Sequence, residues 1–163
     1  MTQPEPARSR ILPAAKPRGD LLAFRMAAPE IALSTLVQLS VPAPAFSTQR
    51  FGAWARVLIG QVNRGDYLIL GQNGRPVGFA GWFAARKTDA EAWLEHEVDI
   101  PVAPPGAGDC AVMNAFMAPS PEAARYLREA FLEQIPTLSM IYAKRVKAGQ
   151  RRLARVPNPR RTA

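Results

Sequence analysis

Residues Tyr67 to Trp82, YLILGQNGRPVGFAGW, constrain the fold of this chain more than any other stretch. Two apolar runs flank Gln72-Asn73-Gly74-Arg75. Asn-Gly tolerates positive φ at both central positions of a two-residue turn, so the stretch reads as an antiparallel β-hairpin. The second run closes on small residues and a tryptophan, which places at least one face of the hairpin against a core.

The rest of the chain gives that hairpin a domain to belong to. A chain of 163 residues is long enough for one domain with a substantial core. No apolar run approaches the roughly 18 to 20 residues needed to cross a bilayer. The start, MTQPEPARSR, lacks the apolar segment of a secretory signal. A single cysteine, Cys110, excludes an internal disulfide and suits a reducing compartment. The expected location is cytoplasmic, with peripheral contact at the cytoplasmic membrane face as an extension of the charge pattern.

That charge pattern is uneven. The formal net charge is +8, yet from Gln134 to Ala163 there is no acid. The same segment holds Lys144, Arg145, Lys147, Arg151, Arg152, Arg155, Arg160 and Arg161. Five of the thirteen acids fall between Asp89 and Asp99. A basic terminus of this kind favours an acidic protein surface, an acidic carrier protein, anionic lipid headgroups or nucleic acid. Nucleic acid is the weakest of these, because no recognition module accompanies the charge.

Periodicity divides the chain into three parts. Residues 1–25 are rich in Pro, Arg and Ala and read as an extended or disordered arm. Residues 26–147 form the folded domain, and residues 148–163 a basic C-terminal tail. Within the domain, Ile31, Leu33, Leu36, Val37 and Leu39 predict a helix over 29–41, stopped by Pro42 and Pro44. Ser47 or Thr48 is placed to cap a second helix carrying Phe51, Trp54, Leu58 and Val62. Thr88 is placed to cap a short helix to about Val98. A strand is expected from Cys110 to Phe116, then a helix opened by Ser120-Pro121-Glu122 and ending near Gln134. Leu138 to Val146 predicts a further strand, with a weaker one over Arg152 to Val156. The class is α+β, a sheet with helices on its faces.

Several segments in this order resemble one family. The Tyr-led hairpin with Pro76-Val77-Gly78-Phe79 and Trp82, the Gly108-Asp109 before a strand ending Ala118-Pro119, and the helix from Pro121 to Gln134 are similar to the toxin-activating lysine acyltransferases. These enzymes attach fatty acyl groups to lysines of RTX toxins. The resemblance spans roughly Leu33 to Pro157. It implies a GNAT-like acyltransferase fold, an α/β sandwich whose mostly antiparallel central sheet splits to admit an acyl donor carried on acyl-carrier protein.

The resemblance also locates the family's catalytic pair, and neither member is present. The family's histidine sits in a Ser-Pro-x-His stretch, where an imidazole titrating near neutral pH suits general base work. The matching stretch is Ala43-Pro44-Ala45-Phe46, so Phe46 stands where the histidine would be. The family's aspartate, three residues before its Ala-Pro, falls on Ala115. Asn114 is one residue away, and in a regular strand that shift turns a side chain to the opposite face.

Other residues offer little to replace the pair. His96 is the only histidine and lies among Glu95, Glu97 and Asp99, acids that favour its charged form. Cys110 opens a buried strand and reads as a small apolar filler rather than a thioester-forming nucleophile. No metal-ligand spacing and no phosphate loop are present, and no cofactor is expected. Trp54, Trp82 and Trp93 read as core or interface anchors. Trp82 and Asn114, with Lys144, Arg145, Lys147, Arg151, Arg152 and Arg155, are the candidate substrate- or partner-binding side chains. The expectation is an acyltransferase-like scaffold without its catalysis, acting as a binding or accessory subunit of a larger, membrane-associated complex. The alternative is an active protein-lysine fatty acyltransferase fed by acyl-carrier protein.

Overall fold

The structure, a computed structural model, describes residues 10–96, 98–147 and 150–161. Its centre is one seven-stranded sheet in sequence order: β1 (Ile11–Pro13), β2 (Leu21–Met26), β3 (Tyr67–Gln72), β4 (Arg75–Ala85), β5 (Cys110–Met117), β6 (Met140–Lys147) and β7 (Gln150–Pro157). Every neighbouring pair is antiparallel except β5 and β6. The helices are α1 (Pro29–Ser40), α2 (Pro44–Ser47), α3 (Phe51–Arg64), α4 (Lys87–His96) and α5 (Pro121–Gln134). The result is the expected α+β sandwich, a mostly antiparallel sheet with flanking helices.

The hairpin of β3 and β4 lies at the middle of the sheet, and its turn takes the form that Asn-Gly encodes. Asn73 has φ 51° and Gly74 has φ 73°, with Gln72 paired to Arg75. Alternation along the strands then sorts side chains between two layers. Leu68, Leu70, Ala80 and Trp82 face α5, whose Tyr126, Leu127, Ala130 and Phe131 cover them. Tyr67, Ile69 and Phe79 face Ala32 and Leu36 of α1 and Leu58 and Val62 of α3. Phe83, Ala85, Val112 and Tyr142 face Ala90 and Leu94 of α4. Each large apolar side chain buried in this way contributes about 1.5–3 kcal/mol.

Local signals account for most helix boundaries. Ser120 caps α5 by accepting from the Ala123 amide at 3.1 Å, and Pro121 fits the first turn. The helix expected to start at Ser47 or Thr48 is divided. Pro44 opens the single turn of α2, and α3 begins after Arg50 without a side-chain cap. Likewise α4 begins at Lys87, ahead of Thr88, with the Ala90 amide bonded to the Arg86 carbonyl.

Both termini are tied into the sheet rather than standing free as arm and tail, and β7 covers the weaker strand expected over Arg152 to Val156. Residues 1–9 lie outside the described residues, but 10–25 carry β1 and most of β2. Gly19 at φ 58° turns the chain between the bridged Arg18 and Leu21. Tyr126 of α5 then holds the segment, its hydroxyl accepting from the Ala23 amide at 3.0 Å and donating to the Lys16 carbonyl at 3.1 Å. At the other end, β7 pairs with β6 along eight residues, from Met140↔Pro157 to Lys147↔Gln150. Beyond it the buried Asn158 amide donates to the carbonyls of Ile135 at 2.7 Å and Leu138 at 2.8 Å. Backbone pairing to distant segments outweighs the local composition in both places.

Candidate functional site

The β4–β5–β6 region carries the geometry that matters. Pairing of β5 with β6 runs only from Cys110↔Met140 to Met113↔Ala143. Past Met113, β5 continues beside β4 while β6 continues beside β7. The sheet therefore parts at Asn114 on one arm and Lys144 on the other.

A bulge at the same point corrects the reading of Asn114. Gly81 pairs with Ala115 and Trp82 pairs with Met113, which leaves Asn114 without a partner in β4. An extra residue of this kind breaks the alternation of the strand. Asn114 consequently faces α3, where its Oδ1 accepts from Gln61 Nε2 at 2.6 Å. Ala115 packs on the same side, among Phe79, Leu58 and Trp54. The one-residue shift does not separate the two side chains.

Gln61 is fully buried and fits because position 81 is glycine. A Cβ on Gly81 would stand 2.3 Å from both polar atoms of the Gln61 amide. Gln61 Oε1 and Trp54 Nε1 are both buried without a hydrogen-bond partner among the described residues. Buried polar atoms left in this state are uncommon in folded proteins.

A cleft of about 430 Å³ opens beside this pair, between α3 and α4. Trp54, Val57, Phe83, Trp93 and Ile100 give it apolar walls, and Asn114 stands at its inner end. Arg56, Arg64 and Asp99 lie around it. Its chemistry is that of a greasy slot with a few polar groups, a form suited to binding.

Phe46 and Ala115 meet in one apolar cluster. Phe46 lies flat on Trp54 with ring centroids 4.7 Å apart and planes at 10°, and its ring is tilted against Phe79 at 5.5 Å. Ala115 is 2% exposed in that same cluster. The structure thus brings the two positions together, but fills them with packing contacts rather than ionisable groups.

The remaining candidates sort by environment. Trp82 is buried against Phe131 with ring centroids 5.0 Å apart, so it belongs to the core under α5 and not to a surface. Lys144 extends its ammonium over the Trp93 ring at 4.1 Å, and partial burial lowers its pKa. Arg155 donates to Glu91 and Glu95 of α4, tying β7 to that helix. Arg145 and Arg152 are exposed and directly opposite each other across β6 and β7. Arg151 is exposed opposite Val146. Lys147 is in β6, and its side chain is outside the described ones.

His96 and Cys110 do not substitute for a catalytic pair. The His96 ring is 70% exposed at the end of α4, 4.0 Å from Glu95. Glu97 lies outside the described residues. Cys110 is fully buried and donates to the Ala85 carbonyl at 3.2 Å, and burial pushes its thiol up to about 12. A thiol held protonated in this way is a poor nucleophile. Among the described residues no group of three His, Cys, Asp or Glu side chains is arranged to hold a metal ion. No described helix is long and apolar enough to cross a membrane.

Gln61, Gly81 and the bulge are not legible in the sequence. The bulge depends on how β4 and β5 meet, which neither strand's pattern reveals alone. In comparisons with known proteins, a model of the RTX toxin acyltransferase family (HlyC) matches residues 27–160. No curated protein matches the chain.

Proposed function

The chain belongs to the RTX toxin acyltransferase family, and from that premise we propose that it is a non-catalytic member, a binding or accessory subunit of a larger protein complex. The observation that carries this reading is the packing of Phe46 against Trp54 and Phe79, in the cluster that also holds Ala115. Neither side chain can accept a proton, and an imidazole placed at Phe46 would sit among apolar rings that disfavour its charged form. Without a base at this position, a lysine ammonium has no local group to deprotonate it before attack on an acyl carbonyl.

Binding is supported by what remains. The apolar cleft, the unpartnered Trp54 indole N–H and the Gln61–Asn114 pair provide shape and a few hydrogen-bonding groups. The partner is a protein, and Arg145 and Arg152, exposed and opposite each other on the β6–β7 hairpin, form the basic contact surface for its acidic face. Lys144 and Arg155 hold that hairpin on α4 rather than meeting the partner. The complex operates in the cytoplasm or at the cytoplasmic face of a membrane.

One observation favours a second reading. The bulge keeps a polar side chain, Asn114, on the face where the family's aspartate would act. In that reading the protein still transfers fatty acyl groups from acyl-carrier protein to lysine, with the substrate amine entering already neutral.

Purification of the endogenous protein at low salt tests the accessory role. A companion present in fixed stoichiometry, and lost when Arg145 and Arg152 are both changed to Glu, is the expected result. A protein that purifies alone, or a companion indifferent to that double change, contradicts it.

A further inference from the structure

The segment from α1 to α3 has an unusual composition. Between Ile31 and Gly65 the charged residues are Arg50, Arg56 and Arg64, with no acid among them. Arg64 is taken by Asp66 at 2.8 Å. Arg50 and Arg56 are exposed and form no ion pair among the described residues.

The same segment exposes apolar side chains that a folded protein ordinarily covers. Phe51, the first residue of α3, is 80% exposed, and Val41, just past α1, is 66% exposed. Pro42, Pro44 and Ala45 between them are exposed as well, and Ile59 lies 43% exposed further along α3. Single exposed apolar residues need no account, but here a valine just past α1 and a phenylalanine opening α3 are both exposed, with exposed prolines in the chain between them.

We propose that this segment is a lipid-docking surface, with Val41 and Phe51 entering the interfacial region of an anionic bilayer while Arg50 and Arg56 meet its phosphates. An aromatic ring that stands out from the surface is suited to a fluid interface that closes around it. A protein partner would need a matching pocket and a larger area around the tip. The charge supports a bilayer too: Arg50 and Arg56 attract an anionic surface and their own segment carries no acid, Asp99 being the acid that lines the cleft with Arg56. Arg56 also lies at the cleft, whereas Arg50, Val41 and Phe51 are not among the residues lining it, so vesicle binding is read without any acyl transfer.

Co-sedimentation of the full chain with phosphatidylcholine vesicles, with and without phosphatidylserine, tests the proposal. Binding is expected only when phosphatidylserine is present, and it falls as salt is raised. Changing both Arg50 and Arg56 to Gln weakens it by about 25-fold, about fivefold per arginine. Phe51→Ser weakens it by about tenfold or more through lost apolar insertion. Val41→Ser is the second apolar variant, and melting curves confirm that each variant is folded. Changing Arg125 and Arg128, exposed on α5 across the sheet, to Gln removes the same charge and leaves binding within about twofold. Absence of binding to anionic vesicles overturns the proposal. So does an equal loss from the α5 pair, or wild-type binding by folded Phe51→Ser and Val41→Ser variants.

Discussion

The Phe46 ring lies parallel to the Trp54 indole at 4.7 Å, one from the short α2 turn and the other from the first turns of α3. The contact joins two helical elements across the short Thr48-Gln49-Arg50 connection and closes the apolar cluster over Phe79 and Ala115. Neither ring carries a group that titrates, so the contact serves packing.

Removing that ring should therefore weaken the fold. Phe46→Ala is expected to cost about 2 kcal/mol, less than the roughly 3–5 kcal/mol of a fully buried phenylalanine because Phe46 is only partly covered. Urea denaturation measures it. Phe46→His is expected to lower stability as well and to produce no acyl transfer, because Ala115 still offers no carboxylate.

Gly81 and Gln61 form a second testable pair. Gly81→Ala forces the buried Gln61 amide off Asn114 and is expected to cost about 1–3 kcal/mol. In a Gln61→Ala background the same change should cost close to nothing. A double-mutant cycle reads the difference as a coupling energy, and additive costs would show that Gln61 does not depend on the glycine.

The contrast between these two pairs explains which features sequence reasoning reaches. The Asn73-Gly74 hairpin and the Ser120-Pro121 helix start are local, so their residues announce them directly. Strand β2 is different. Leu21 to Met26 has no apolar alternation, and it becomes a strand because β3 lies beside it and Tyr126 binds its backbone. The basic segment from Gln150 is likewise ordered by β6 and by Asn158, not by its own composition. Phe46 and Ala115 were legible as positions through resemblance. Their shared cluster, and the bulge that turns Asn114 toward α3, arise from contacts between segments far apart in the chain.

Acid should loosen the α4–β7 junction. Hydrogen bonds from Arg155 and Tyr142 hold the Glu91 carboxyl below its ordinary value of 4.5. A depressed folded-state pKa adds stability that is fully present above the unfolded value and is lost as pH falls through the folded one. Stability measured from pH 6 down to about 3 is expected to fall less steeply in Glu91→Gln than in the wild type. Equal slopes would remove Glu91 from the account.

Cys110 should be silent in the folded protein. With its thiol pushed up to about 12 and no exposed surface, labelling by a thiol reagent at pH 8 is expected only after denaturant is added. Fast labelling of the native protein would reopen Cys110 as a nucleophile.

The central claim, that this family member has lost its catalysis, is tested most directly by acyl transfer. The protein is incubated with acyl-carrier protein bearing a long-chain acyl group and a lysine-containing acceptor, and acylated lysine is counted by mass spectrometry. The account predicts a rate equal to the protein-free control, unchanged by Asn114→Ala. A rate clearly above that control, falling when Asn114 is changed, would contradict it.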